Sequence, residues 1–368
     1  MRYRSAIDEG GLPVTAKVGQ LSTSRPLTGL VNLATLGMED REYWRNEKVA
    51  FLAMTTLKGV GFWTLHKAAQ SGAGFKTGLR SPEGTHIDKI LRDNSLTPAQ
   101  AWERGIELAR ELTAAGIMLF FKNEKGFPQK LKNIPDAPEW IFIQGKMEPL
   151  SSYAVTLVGT RKPSDDGLFL TKYVVATLAP LTCVTVSGLA TGIDQTAHLE
   201  SIRYNIPTVA VLGTGILQNY PKGSEDIRSK IISAGGTVIS EYLPNQSYSA
   251  ENFVRRNRLQ AALGNVLIPA EWAIKSGTAH TVKYAYNYQK KIINLYLPHT
   301  LLLRPEIEQS KQDYGALSFE VPQLHEAFQE ILLSESISQP VNHSEHEVDY
   351  DAESEIINED DNAQFSLF

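Results

Sequence analysis

Hydrophobic positions in the second half of the chain fall into two alternating textures. Short β-branched runs recur at Val155–Val158, Cys183–Val186, Thr208–Leu212, Thr237–Ser240, Val266–Ile268 and Ile292–Tyr296. Between them, apolar residues at helical spacing predict helices near 164–178, 192–204, 224–234, 255–263 and 278–288. Strict alternation of this kind implies right-handed crossovers and a parallel sheet covered on both faces, an α/β architecture. Upstream the period changes. EDREYWRNEKVAFLAMTTL, from Glu39, predicts one amphipathic helix, then a Lys58-Gly59-Val60-Gly61 turn and a second helix, FWTLHKAAQSG. Further helices are expected at His86–Arg92 and Pro98–Ala115. Ile117–Phe121 and Trp140–Gln144 read as strands around a Phe127-Pro128 turn and a short helix through Leu131, adding to the sheet and covering its edge. The pattern divides the chain into an unassigned segment 1–38, a helical domain 39–113, an α/β domain 114–333 and a tail 334–368. After Pro298 a connection and a covering helix near Pro322–Leu333 are expected.

Composition narrows the class. The chain has 368 residues with 42% hydrophobic content, enough for two or three globular domains. Its single cysteine, Cys183, lies in an apolar strand, which leaves no disulfide framework and no cysteine-ligated zinc. No apolar run approaches a membrane span, and MRYRSAIDEGG lacks the apolar core of a secretory signal, so a cytoplasmic protein without a membrane partner is expected. The net charge of −5 hides an asymmetry: ten acidic and no basic residues follow Ser334, leaving 36 basic against 31 acidic residues before it. The globular part is mildly basic, and the acidic tail is disordered by composition.

The candidate chemistry lies where the strands end. Four of them stop at glycine clusters that open helices: Gly159-Thr160-Arg161; Ser187-Gly188-Leu189-Ala190, continuing to Gly192; Gly213-Thr214-Gly215; and Ser276-Gly277-Thr278. Backbone amides at such turns, reinforced by helix dipoles, suit phosphate, and a row of them suits a polynucleotide backbone. Arg161 follows the first strand immediately, placed either to fork onto a phosphate or to brace the turn with a salt bridge. Lys222 follows Tyr220-Pro221 and points along the same edge or only into solvent. Arg255, Arg256 and Arg258 cannot share one helix face; Arg255 or Arg258 is expected on phosphate, with another paired to Glu241 or Glu271. Asp194 and His198, four apart, read as a brace and a packed residue beneath the turn rather than an acid–base pair, because no nucleophile or metal-ligand cluster accompanies them. No cofactor and no catalytic step are expected. Tyr220, Phe253 and Tyr242 are candidates for base stacking and equally for the core.

The motifs GTR (159–161), VSGLATGID with His198, AVLGTGI followed by Tyr220-Pro221-Lys222, ISEY (239–242), FVRRNR (253–258) and AEW…SGTAHT (270–281), preceded by FP…IPDAP, occur in one order. In that order the chain resembles the DNA-processing protein A (DprA/Smf) family over roughly Gly116 to Pro298. The resemblance implies an extended Rossmann-like fold behind a helix-hairpin-helix or SAM-like domain. It also implies single-stranded DNA binding without hydrolysis, dimerisation, and help in loading a RecA-type recombinase. Carried over by motif, the phosphate contacts are Arg161, Lys222, the Gly188–Gly192 turn, and the Arg256, Asn257, Arg258 element with Arg255 beside it. The helix-hairpin-helix turn is either a phosphate site or part of a structural or partner-binding module. The winged-helix domain of many relatives is not expected, since the residues after Pro298 are few and acidic.

The final residues, Gln364-Phe365-Ser366-Leu367-Phe368, resemble the peptide by which bacterial polymerases and repair proteins dock on the sliding clamp, with Gln364, Leu367 and Phe368 as anchors and Phe365 where leucine is usual. An acidic tail ending in phenylalanine also resembles the tip of single-strand-binding protein; alternatively it keeps the protein soluble or shields its basic groove. The architecture is shared with small-nucleotide sensors and with phosphoribohydrolases carrying a PGGxGTxxE-like signature. IKSGTAHTV, at the corresponding place, lacks that acid. The sensor reading stays open.

Overall fold

The computed structural model describes residues 31–322 and 325–334. The chain divides into Met1–Trp44 and Arg45–Phe368. The described part of the first is the opening stretch of helix α1 (Val31–Thr55), where Tyr43 and Trp44 meet edge-to-face at 5.0 Å. The helix expected from Glu39 therefore starts at Val31.

In the larger unit, α1 continues into α2 (Phe62–Gln70), α3 (Phe75–Arg80), α4 (His86–Asp93) and α5 (Pro98–Ala114). The start of α5 is legible in sequence: Pro98 follows Thr97, whose hydroxyl and the Gln100 side chain form a reciprocal capping box. The start of α3 is not, because its cap is distant. The buried Glu47 carboxylate accepts the Phe75 amide at 2.6 Å and the Lys76 amide at 3.1 Å. Phe51 on α1 packs against Phe75, Phe121, Trp140 and Phe142, so helices and sheet share an aromatic core.

Among the described residues nine strands form the sheet: β1 (Ile117–Phe121), β2 (Trp140–Gly145), β3 (Ala154–Gly159), β4 (Val184–Ser187), β5 (Thr208–Val211), β6 (Thr237–Ser240), β7 (Val266–Glu271), β8 (Lys291–Tyr296) and β9 (Leu317–Glu320). Their order is β1-β2-β6-β5-β4-β3-β7-β8-β9, parallel from β6 to β9, with β2 antiparallel to β6 and to β1. A short α6 (Gln129–Lys132) joins β1 to β2; α7 (Asp165–Leu178), α8 (Ile193–Arg203), α9 (Glu225–Ser233), α10 (Ala250–Leu263) and α11 (Gly277–Asn287) make the crossovers. After β8 come α12 (Pro305–Tyr314), β9 and α13 (His325–Leu333). Strand β9 departs from the expected plain connection: with no alternating buried face of its own, it is recruited by β8 through backbone pairing.

Alternate residues of one strand serve opposite layers. Val266 and Ile268 join Leu170, Val174 and Phe328 on one face, while Leu267 joins Val282 and Ala285 on the other. Both faces are filled, which explains the near-continuous apolar strands. The strand order reverses between β3 and β7, the place where open α/β sheets bind ligands. No described helix is long and apolar enough to cross a membrane. Gln364, Leu367 and Phe368 lie outside the described residues.

Candidate nucleic-acid interface

The turns after β3 and β4 are built against each other. A Cβ on Gly192, whose φ is +82°, would sit 2.7 Å from the Arg161 carbonyl oxygen, so only glycine lets the two turns approach. The Ile193 amide donates to the Thr160 carbonyl at 3.2 Å, and the Thr160 amide to the Glu271 carbonyl at the end of β7 at 2.8 Å. Glu271 also accepts the Ser164 amide at 2.9 Å through its carboxylate, near the start of α7. It braces the loop after Arg161 rather than pairing with an arginine.

Beneath the second turn lie two buried side chains of opposite charge, Asp194 and Arg256. Asp194 accepts the Gly188 amide at 3.0 Å, and Arg256 donates from Nη1 to the Gly188 carbonyl at 2.7 Å and to the Val211 carbonyl. A Cβ on Gly188 would lie 2.6 Å from both Asp194 Oδ2 and Gln260 Nε2. Burial raises the Asp194 carboxyl above its usual range, with Arg256 pulling the other way; burial likewise brings the Arg256 guanidinium down to about 10, opposed by Asp194. This corrects the expectation of outward amides along the whole turn, since Gly188 and Ala190 turn their N–H groups toward Asp194. Among the described residues no acceptor faces the amides of Leu189, held left-handed at φ +64°, and of Gly192. Ser187 is buried, its hydroxyl donating to the Leu157 carbonyl at 2.6 Å.

The arginine-rich element needs a larger correction. Arg258 is 1% exposed and forks onto Glu241 at 2.6 and 2.7 Å, with Asp136 at 3.2 Å from Nε. Burial alone would raise the Glu241 carboxyl, yet Arg258 and Arg255 hold it below the usual range. Arg256 is enclosed under the glycine turn, and Asn257 donates to the Gly277 carbonyl at 2.9 Å, tying α10 to the start of α11. Arg256, Asn257 and Arg258 therefore shape the rim from inside, because all three are buried and donate to carbonyls or carboxylates of the protein. Arg255 turns away: its guanidinium lies 4.4 Å from the Trp63 ring centroid and 4.9 Å from that of Phe62, with Glu241 at 3.7 Å. In the Ser276-Gly277-Thr278 turn, Ser276 donates to the Ala273 carbonyl, Thr278 is buried, and Gly277 faces open space.

His198 is fully buried, with Nδ1 2.7 Å from the Thr208 hydroxyl. Burial and then Arg256 push its pKa down to about 3, so the ring is neutral at ordinary pH. Asp194 faces the turn amides and His198 faces β5, an arrangement that builds no proton relay. Among the described residues no group of three or more His, Cys, Asp or Glu could hold a metal ion.

What reaches the surface is a cation over aromatics. The half-buried Arg161 guanidinium lies 5.4 Å from the Phe253 ring centroid. Phe253 stands 5.2 Å from Tyr220, which stands 4.4 Å from Tyr248. A Cβ on Gly213 would meet the Phe253 ring at 2.6 Å, so the third glycine turn is the seat of that ring. Lys222 follows Tyr220 by two residues and is exposed. Tyr242, by contrast, is core, its hydroxyl donating to the Asn252 carbonyl at 2.7 Å. Tyr248, 38% exposed, escaped the sequence reading. The available signal was Ser249, which caps α10 by accepting the Asn252 amide at 3.0 Å and so marks Tyr248 as the residue at the helix mouth. The same cap starts α10 at Ala250, five residues before the periodicity suggested.

A doubly wound sheet with glycine turns at its switch point and a cation-aromatic cluster at that edge defines a Rossmann-type α/β protein with an anion-suited rim. The chain belongs to the DNA recombination-mediator protein A family, whose model matches residues 118–311. It is 31% identical over 265 residues to Protein Smf of Synechocystis, covering 68% of this chain and 65% of that one. To DNA processing protein DprA of Streptococcus pneumoniae it is 35% identical over 159 residues, covering 43% and 56%. Its fold is similar to the crystal structure of that DprA (TM-score 0.54, 26% identity, 74% of this chain and 94% of that one). It is also similar to DprA of Helicobacter pylori, solved to describe its single-stranded DNA binding mode (TM-score 0.51, 25% identity, 59% and 95%). The chain spans under two thirds of the length of these curated relatives.

Proposed function

We propose that the rim formed by the turns after β3, β4 and β5 binds single-stranded DNA, holding phosphates through Arg161, Lys222 and the Leu189–Gly192 turn and stacking bases on the Tyr220–Tyr248–Phe253 cluster. The observation that carries the reading is the Arg161 guanidinium set over Phe253 beside two further rings, one of them 38% exposed. An electrostatic groove lined with aromatics is the usual solution for sequence-tolerant single-strand binding. The family's description as a recombination mediator and the single-stranded DNA bound by the Helicobacter pylori relative support the same substrate class. On this reading the protein performs no chemical step. It delivers the strand to a RecA-type recombinase, working as a homodimer, while Gln364, Leu367 and Phe368 offer a docking peptide to the sliding clamp. The rim is tested by oligothymidylate affinity of Arg161→Ala/Lys222→Ala against the unaltered protein across a salt series. Polynucleotide binding has a log–log salt slope of about 0.7 per phosphate contacted, and the double variant flattens it. Equal affinity and slope in both proteins removes the site; a shallow slope in the unaltered protein favours a one-phosphate ligand.

A further inference from the structure

The same helix that carries Phe253 holds a second aromatic-cation pair on its other side. Trp63, at the start of α2, is 48% exposed, whereas Trp140 and Trp272 are buried and Trp44 and Trp102 half-buried. Its ring is not loose. Arg255 lies 4.4 Å from the centroid, and Phe62 and His66 stand against it at 5.2 and 5.4 Å, both steeply inclined to it. Arg255 is itself held by Phe62 at 4.9 Å and by Glu241 at 3.7 Å. The indole is therefore fixed in place while about half of it stays open to solvent.

This platform is tied to the rim. Phe62 packs on Tyr242 at 5.6 Å, and Tyr242 donates to the carbonyl of Asn252, the residue before Phe253. Phe253 and Arg255, two apart on α10, point to opposite sides of a helix about 10–12 Å across, so a strand leaving the Phe253 cluster crosses that width before it meets Trp63.

We propose that Trp63, backed by Arg255, is an additional nucleobase-stacking site, reached by a single strand that leaves the rim across the first turn of α10. It gives the helical region a part in binding that does not depend on the Gly59–Gly61 turn. The inference rests on the rim binding DNA, and the test separates the two. Oligothymidylates of about four nucleotides occupy the rim alone, and those of about twenty reach Trp63. Tryptophan emission and affinity are measured for the full chain and for Trp63→Ala, Trp63→Phe and Arg161→Ala. The long oligomer is expected to quench emission in the unaltered protein, and Trp63→Phe to lose the quench while keeping near-normal affinity. Trp63→Ala should bind the long oligomer about tenfold more weakly and the short one unchanged. Arg161→Ala weakens both lengths. If Trp63→Ala binds the long oligomer like the unaltered protein while Arg161→Ala does not, Trp63 is no part of the path. If Trp63→Ala weakens both lengths equally, with a lowered melting temperature, it is a structural residue and the proposal fails. Indifference of both lengths to Arg161→Ala instead overturns the rim, and the inference with it.

Discussion

Arg256 reaches beneath the glycine turn and takes the Gly188 carbonyl at 2.7 Å, while the Asp194 carboxylate takes the amide of the same residue at 3.0 Å. One peptide segment is gripped at both ends by two buried side chains of opposite charge. A Cβ at Gly188 has nowhere to go, since the nearest atoms are the charged groups that do the gripping. Gly188→Ala is expected to cost about 1–3 kcal/mol of stability from overpacking. It should also weaken single-strand binding by displacing the Leu189–Gly192 turn. Denaturant melts and oligomer titration of the same preparation check both; normal affinity would show that the turn does not position the strand.

Arg258 and Glu241 make a different prediction because both are 1% exposed and neither borders the rim. Glu241→Gln strips one partner from a buried pair, a change expected to destabilise by about 3–5 kcal/mol. Affinity for a short oligomer, measured well below the melting temperature, should stay near that of the unaltered protein, and the salt slope should not move. A slope flattened as in Arg161→Ala/Lys222→Ala would return Arg258 to the phosphate contacts.

His198 fixes a pH dependence. Its folded pKa of about 3 lies below the unfolded value of 6.5, so the unfolded chain takes up the proton first as pH falls. Its contribution to stability is complete above 6.5 and is lost progressively between 6.5 and about 3. Through that window the slope is about 1.4 kcal/mol per pH unit for one proton. The raised Asp194 carboxyl acts with the opposite sign, so the measurement is the difference between the unaltered protein and His198→Asn. That difference should carry a one-proton slope below 6.5 and flatten above it. Parallel stability curves through the window would mean that the imidazole is not buried neutral.

Tyr248→Ala removes the exposed ring of the rim cluster and no charge. Affinity is expected to drop by about 1–3 kcal/mol with an unchanged salt slope, the signature of lost base stacking. If the slope falls instead, the ring acts by holding Arg161 or Lys222 in place.

Removing Gln364–Phe368 should abolish capture of the protein by immobilised sliding clamp and leave oligomer affinity as it was. Undiminished capture disposes of the docking peptide without touching the rim.

The amino-acid order was enough for the layers of the α/β unit. Period-two apolar runs alternating with helical spacing dictate crossovers, and the carboxyl edge is where glycine clusters must fall when strands end in turns. The place of Arg161 just beyond β3 and the order of the glycine motifs were legible for the same reason: each depends on a few neighbouring residues. What the sequence could not decide is which of several adjacent charges faces water. Arg255, Arg256 and Arg258 are alike in composition and lie within one helical turn. Only the folded chain sends the first to Trp63, the second under Gly188 and the third to Glu241, because burying a guanidinium requires a carboxylate or carbonyl brought from a distant strand. Strand β9 and the Glu47 cap on α3 were hidden for the same physical reason, since each exists through a partner remote in the chain. Local propensity wrote the elements; the pairing of distant charges and rings chose the surface.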